Sequence, residues 1–324
     1  MKRISFFATR IAATTCLAVA ATTAYAADYP SKPITMVVPY SAGGGADTAA
    51  RIIAKGMEEA SGQTVVIDNK PGASGSIGAG IVARAKPDGY TVLYDASSFA
   101  INAVLRKLPY DPDKDFIPVS LAGIVPNILV VSAESPYQTL NDYISAAKAD
   151  PGKLTYASYG PGSLAQMAGE LLKKDTGIDV IHVPYKGGAP AIVDVMGGYV
   201  DAYFANAASS LSYVKQGKLR ALAVTSKARM NDLKDTPTMM EAGVEGFEVY
   251  EWNGFFFPKG TPQEAVSGLA KIVKDALARP SVQESLKGLG LSAVGNSPEE
   301  FAEFVNAEKA RWADVAKTNN ITVE

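Results

Sequence analysis

The chain has 324 residues, 47% of them apolar and 20% charged, which is enough apolar material for sizeable cores. Its 31 Lys and Arg stand against 33 Asp and Glu, and this mildly acidic balance argues against nucleic acid or an anionic membrane surface as partner. One cysteine (Cys16) and one histidine (His182) exclude a disulfide framework and leave little for a metal site or a nucleophile.

The first 26 residues read as an export signal. Lys2, Arg3 and Arg10 give a basic start, residues 11–21 are apolar or small, and Ala24-Tyr25-Ala26 fits the small-x-small cleavage rule. The apolar run is shorter than the ~20 residues of a membrane span. Cleavage after Ala26 would remove Cys16 and three positive charges, leaving 28 basic against 33 acidic residues, a net −5. The remaining length suggests about two domains of ~150 residues.

Residues 34–40 (ITMVVPY) predict a short strand ending at Pro39, and residues 47–60 a helix. A second strand is expected at 64–69. Gly72, Gly75, Gly78 and Gly80 then punctuate a loop into a helical stretch reaching residue 85, and a third strand follows at 91–96. Strand-helix-strand order with short links predicts βαβ units and a mostly parallel sheet. Apolar runs rather than strict alternation fit strands covered on both faces.

The pattern changes after YDPDKDFIPVS (110–120). Strands are expected at 127–133, 154–160, 180–185, 199–205 and 219–226, with helices at 139–149, from about 163 to 174, and at 189–197. The aromatic segment 249–258 reads as a strand crossing back to the first half, and helices at 262–279, 281–288 and 298–318 finish the chain.

VVPYSAGGGAD (37–47) and HVPYKGGAPAIVD (182–194) echo one another: strand, Pro-Tyr, glycines, helix. Two lobes of one α/β design would give such an echo. The expected division is 28–124 plus 249–324 for lobe one and 125–248 for lobe two, with a ligand cleft at the carboxyl ends of the strands.

Several chemistries can be set aside. The loop 41–47 lacks the Lys of a P-loop, and Gly78-x-Gly80-x-x-Ala83 follows a loop rather than a strand, so neither supports a nucleotide site. Ser145 and Lys148 match S-x-x-K, but on a helix surface with no accompanying motif. Asp111, Asp113 and Asp115 begin like an EF-hand, but neither the Gly nor the closing Glu follows. His182 lies in an apolar strand and reads as structural. No enzyme, cofactor or metal is expected.

What remains is anion capture by backbone. Helix N-termini present unsatisfied N–H groups and partial positive charge, and glycines let a ligand come close. Loops 41–47 and 159–163 both feed helix starts and could each hold a carboxylate without an arginine.

Six blocks together are highly specific: YPSKPITMVVPYSAGGGADTAAR, VVIDNKPGASGSIGA, YDPDKDFIPVSLAG, HVPYKGGAPAIVDVMGG, VDAYF and GKLRALAVTS. In this order they resemble the periplasmic solute-binding proteins of tripartite tricarboxylate transporters, the Bug receptors, over essentially the whole chain after residue 26. The resemblance implies a two-lobe α/β fold of the type II periplasmic-binding-protein class (Venus flytrap). It implies capture of a small carboxylate by Tyr40, Ala42, Gly43, Gly44 and Asp47 of the first loop and by Tyr159, Gly160, Gly162 and Ser163 of the second. Ser97 and Ser98 would line the same cleft. A monomer would deliver ligand to an ion-driven membrane transporter. Other roles weighed are presentation of ligand to a signalling receptor and, less favoured, lyase or isomerase activity.

Departures from the family pattern at two places bear on the ligand. The family's second loop usually reads Ser-Ser-Gly-x-Gly-Thr-x-x-His, where this chain has Tyr159, Ser163 and Gln166. Where the family often has Asp-Asn, this chain has Ala205 and Asn206. Loss of that acid removes the counter-charge for an ammonium group, and Tyr40, Tyr159 and Tyr203 could line a wall for a ring. The expected ligand is a mono- or dicarboxylate without an amine, aromatic acids included.

Overall fold

The computed structural model describes residues 29–319 and 321; the expected export signal lies outside them. In chain order the elements are β1 (Ile34–Val38), α1 (Gly45–Ser61), β2 (Val65–Asn69), a 3-10 turn (Ala73–Gly75), α2 (Ser76–Ala83), β3 (Thr91–Ala96), α3 (Ser98–Leu105), β4 (Phe116–Ser132), α4 (Leu140–Ala149) and β5 (Thr155–Ser158). Then come α5 (Leu164–Thr176), β6 (Ile181–Pro184), α6 (Gly188–Met196), β7 (Ala202–Asn206), α7 (Ala207–Lys215), β8 (Leu219–Val224), β9 (Tyr250–Pro258), α8 (Gln263–Leu277), α9 (Pro280–Gly288), β10 (Ser292–Ala293) and α10 (Pro298–Asn319).

Two sheets share one strand. In the first, β2, β1 and β3 run parallel, β9 lies antiparallel on β3, and the first part of β4 lies antiparallel on β9, with β10 beyond it. In the second, β6, β5 and β7 run parallel, and the rest of β4 lies antiparallel against β7 and β8. The fold is a two-lobe α/β structure of type II. Each lobe is a parallel triplet extended by antiparallel strands, so the sheets are more mixed than the sequence suggested.

β4 changes sheets between two neighbours. Pro126 is paired with Tyr250 of β9, and Asn127 with Asn206 of β7. Proline has no amide to give a continuing ladder, so the change of partner falls where the ladder is already interrupted. The expected strand at 127–133 is only the second half of β4. Pro118 and Pro126 conceal the first half, and the register shifts just after Pro118. Helices α3 and α7 and the short β10 were also not expected.

The crossing strand β9 carries the largest core residues of the first lobe. Trp252, Phe255, Phe256 and Phe257 are all buried, and Phe256 stacks on Phe99 of α3 at 4.3 Å. α10 closes over them: Phe301 packs on Trp252 and Phe256, and Gly254 leaves the space that the Phe301 ring takes. Each such aromatic contributes roughly 1.5–3 kcal/mol by burial. Glu308 accepts hydrogen bonds from the indoles of Trp252 (3.0 Å) and Trp312 (3.2 Å), which fixes the last helix on the crossing strand. Between the lobes, α1 packs on α7 and α10 on α5.

Candidate functional site

The first loop is held by its own acid. Asp47, on the first turn of α1, accepts from Gly43 N (2.9 Å), Arg51 Nε (3.0 Å) and Asn69 Nδ2 (2.9 Å). Burial raises its pKa, but the hydrogen bonds from Arg51, Gly43 and Asn69 outweigh that and leave it below the ordinary carboxylate range. Asp47 is therefore a brace. With all these partners satisfied it does not face the cleft, which corrects its assignment as a ligand contact. Ala42 and Gly43 are exposed and line neither cleft cavity described below. Gly44, with Gly45 and Ala46, presents the start of α1 to the cleft.

Opposite stands the echoing loop of the second lobe. Ser41 Oγ donates to the carbonyl of Lys186 at 2.6 Å, and a Cβ on Gly187 would stand 2.7 Å from Ser41 Oγ. Gly187 has φ of 136°, a backbone that side-chain-bearing residues rarely adopt, and it caps α6. Sequence reasoning missed Gly187 and Gly188 as site residues, although the Pro-Tyr-x-Gly-Gly echo was the signal that could have found them.

An inner chamber of about 30 Å³ lies between the lobes. The N-terminal ends of α1, α6 and α7 meet there through Gly44, Gly45, Gly188, Asn206 and Ser209. Asn206 caps α7, its Oδ1 accepting from Ala208 N at 2.9 Å. Two fully buried groups in the wall have no hydrogen-bond partner: the Tyr203 hydroxyl and Asn253 Nδ2. Buried polar groups of this kind ordinarily find a partner, so an acceptor in the chamber is the natural one. Ala205 is buried in β7 opposite Ile128 and does not line the chamber.

Tyr40 and Tyr159 stand edge to face at 6.1 Å and line both this chamber and a second, larger one of about 160 Å³, lined also by Gly72, Ser74, Gly160 and Tyr185. Tyr40 donates to Asp95 at 2.7 Å and shares a 2.5 Å hydrogen bond with Ser98. Tyr159 donates across the cleft to Glu251, whose other oxygen accepts from the amide and the hydroxyl of Ser97. Ser97 and Ser98 thus hold the tyrosines and acids behind the wall and do not line either chamber. Burial raises Asp95 to about 7, against opposing hydrogen bonds from Tyr40 and Ala96, and burial likewise raises Glu251.

Glu251 lines the inner chamber. An acid from β9 thus stands in the cleft where the sequence offered none, and burial shifts it toward its neutral form. A lone acid and a lone amide (Asn253) inside an otherwise apolar aromatic strand were the available signal.

The second loop, expected to hold an anion at the start of α5, has its donors occupied from within. Gly162 N donates to Gln166 Oε1 (2.6 Å), Leu164 N to the Tyr159 hydroxyl (3.1 Å) and Gln166 N to Ser163 Oγ (3.3 Å). Gly160 faces the second chamber, and Gly162 packs against Asn102 and Arg106. Further bonds join the lobes here: Ser74 Oγ and Arg106 both donate to Pro161 O at 2.5 Å. His182 stacks on Tyr156 and meets Ser158 Oγ at 2.6 Å; burial lowers its pKa to about 4.

Two lobes closed on a chamber walled by helix N-termini define a periplasmic-type solute-binding receptor. The family model described as "Tripartite tricarboxylate transporter family receptor" matches residues 49–321. The chain belongs to that family. It is similar in structure to the periplasmic binding protein BugD (37% identity, TM-score 0.88, 91% of this chain and 99% of that one). An R. palustris protein solved with adipate is as similar (39%, TM-score 0.88, 91% and 99%). MatC of Rhodopseudomonas palustris, solved with bound malate, follows at 34% and TM-score 0.84 (89% and 99%). These relatives are solute-binding receptors, not enzymes.

Proposed function

We propose that this receptor captures a small carboxylate between its lobes in the periplasm and delivers it to a membrane transporter of the tripartite tricarboxylate type. The observation that carries the reading is the inner chamber. Three helix N-termini and two unpartnered buried groups converge there, and among the described residues no Lys, Arg or His lines it. Aimed N–H groups and helix dipoles hold anions at short range, and charge-assisted hydrogen bonds are about twice as strong as neutral ones. The adipate and malate complexes of relatives support the same ligand chemistry.

In this reading lobe one is 28–124 plus 249–324 and lobe two is 125–248, with the hinge in 120–130 and 247–258. A ligand that touches both lobes binds the closed form better, and that difference drives closure. The chain acts as a monomer, exported by cleavage after Ala26. The test is native mass spectrometry of gently purified protein, then thermal shift against a panel of carboxylates. A ligand that binds only the folded state raises the melting temperature by mass action. A co-purified acid or a clear shift with one acid class is expected; no shift with any carboxylate would sink the reading.

A further inference from the structure

Tyr159 does three things at once in the cleft. Its hydroxyl accepts from Leu164 N, the first amide of α5, and donates to Glu251 from the opposite lobe. Its ring stands against Tyr40, and the two rings separate the inner chamber from the second one. With Gly162 N on Gln166 and Gln166 N on Ser163, the start of α5 offers an incoming anion little.

The inner chamber has one convergent set of donors. Its unpartnered groups are Tyr203 OH and Asn253 Nδ2, both fully buried, and its helix ends are those of α1, α6 and α7. Its wall also carries Glu251, without a cation among the lining residues. A second carboxylate in this chamber would give up its hydration and find no donors left to replace it. Lys186 lines the second chamber and not this one.

We infer that Tyr159 is a specificity-determining residue: by occupying the α5 amide and dividing the cleft, it makes the receptor select monocarboxylates over dicarboxylates of the same length. This rests on the carboxylate reading given above. Only one carboxylate finds donors, and the rest of the ligand lies against the rings of Tyr40, Tyr159 and Tyr203.

The experiment titrates matched pairs (butanoate and succinate, hexanoate and adipate, benzoate and phthalate) into the wild type, Tyr159→Phe and Tyr159→Ser by calorimetry. Circular dichroism and melting temperature confirm that each is folded. Wild type should bind the monocarboxylate of a pair at least ~10-fold tighter, which corresponds to ~1.4 kcal/mol. Tyr159→Ser frees Leu164 N and joins the chambers, so the ratio should fall to about one or reverse. Tyr159→Phe also frees Leu164 N but keeps the dividing ring, so its ratio should lie between those of the wild type and Tyr159→Ser. A wild type that prefers dicarboxylates, or a Tyr159→Ser ratio like the wild type's, overturns the inference while leaving carboxylate capture intact. If folded wild type and Tyr159→Ser bind none of the six acids, the carboxylate reading falls and the inference with it.

Discussion

Ser41 and Lys186 occupy the same place in two echoing loops, each directly after a Pro-Tyr pair, and Ser41 donates across the cleft to the Lys186 carbonyl at 2.6 Å. The internal repeat is thus also an interlobe contact. Removing this one bond should cost the closed form about 1 kcal/mol. Ser41→Ala is expected to weaken ligand binding roughly five-fold by calorimetry, the value that energy implies. Small-angle scattering of the free protein should show a larger radius of gyration. Unchanged affinity and dimensions would mean that the bond contributes nothing to closure.

Gly45 separates folding from closure. It is the first residue of α1, where Ala suits the helix at least as well as Gly. A Cβ there, however, would stand 2.9 Å from Asn206 Oδ1 in the other lobe, and that oxygen is fixed by capping α7. Gly45→Ala should melt at the same temperature as wild type or higher, yet bind ligand at least ~10-fold more weakly, a loss of ~1.4 kcal/mol. Unchanged binding would show that the lobes do not meet this closely in the ligand-bound form.

Asp95 should imprint a pH dependence on stability. Its carboxyl titrates near 7 when folded, against 3.8 ordinarily, because burial disfavours the charged form. A raised acid contributes most below the unfolded value, where both states are protonated. Its contribution falls as pH climbs from about 4 to about 7, at about 1.4 kcal/mol per unit. The titratable groups near it are Tyr40, Glu251 and Tyr110, and all three are themselves shifted upward by burial. Asp95→Asn keeps an acceptor for Tyr40 and for Ala96 N. Its melting temperature relative to wild type should improve between pH 5 and pH 8. A constant difference across that range would contradict the assignment.

Gly169 on α5 tests packing alone. A Cβ there would lie 2.2 Å from Tyr156 Cε2, and that ring cannot retreat, being stacked on His182 and hydrogen-bonded to Glu170 (2.7 Å). Overpacking of this kind costs ~1–3 kcal/mol, against the ~1 kcal/mol that Ala gains in a helix. Gly169→Ala should lower the denaturant midpoint. A midpoint at or above that of wild type would show that Tyr156 has room to move.

Much of this was legible before any coordinates. The apolar runs placed most of the strands, the glycines placed the loops, and the Pro-Tyr echo pointed to two similar lobes. What stayed hidden was set by contacts distant in sequence. β4 could not be read as one strand because Pro118 and Pro126 argue locally against it, while β9, β7 and β8 hold it in place. Gly162 and Ser163 looked like anion donors because their type and spacing are right. That Gln166 takes the Gly162 amide and Tyr159 the Leu164 amide depends on side-chain direction, which spacing does not reveal. Glu251 was overlooked because an acid in an aromatic strand has meaning only once Ser97 and Tyr159 are placed beside it.

The shared strand sets an order of assembly for a growing chain. The partners that complete the second sheet, from Asn127 of β4 to β8, lie together in the middle of the sequence. The first sheet begins with β1 but needs β9, and the cover that α10 gives it, from near the other end. The earliest residues synthesised in the first lobe therefore wait for the latest, and until then the face that β9 will occupy stays uncovered. Domains generally fold as units once their parts are present. In a ribosome-stalled chain that has emerged through β8 but not β9, the amides of β5 and β7 should be protected from exchange and those of β1 and β3 should not; the reverse pattern would show that the first lobe nucleates without its final segment.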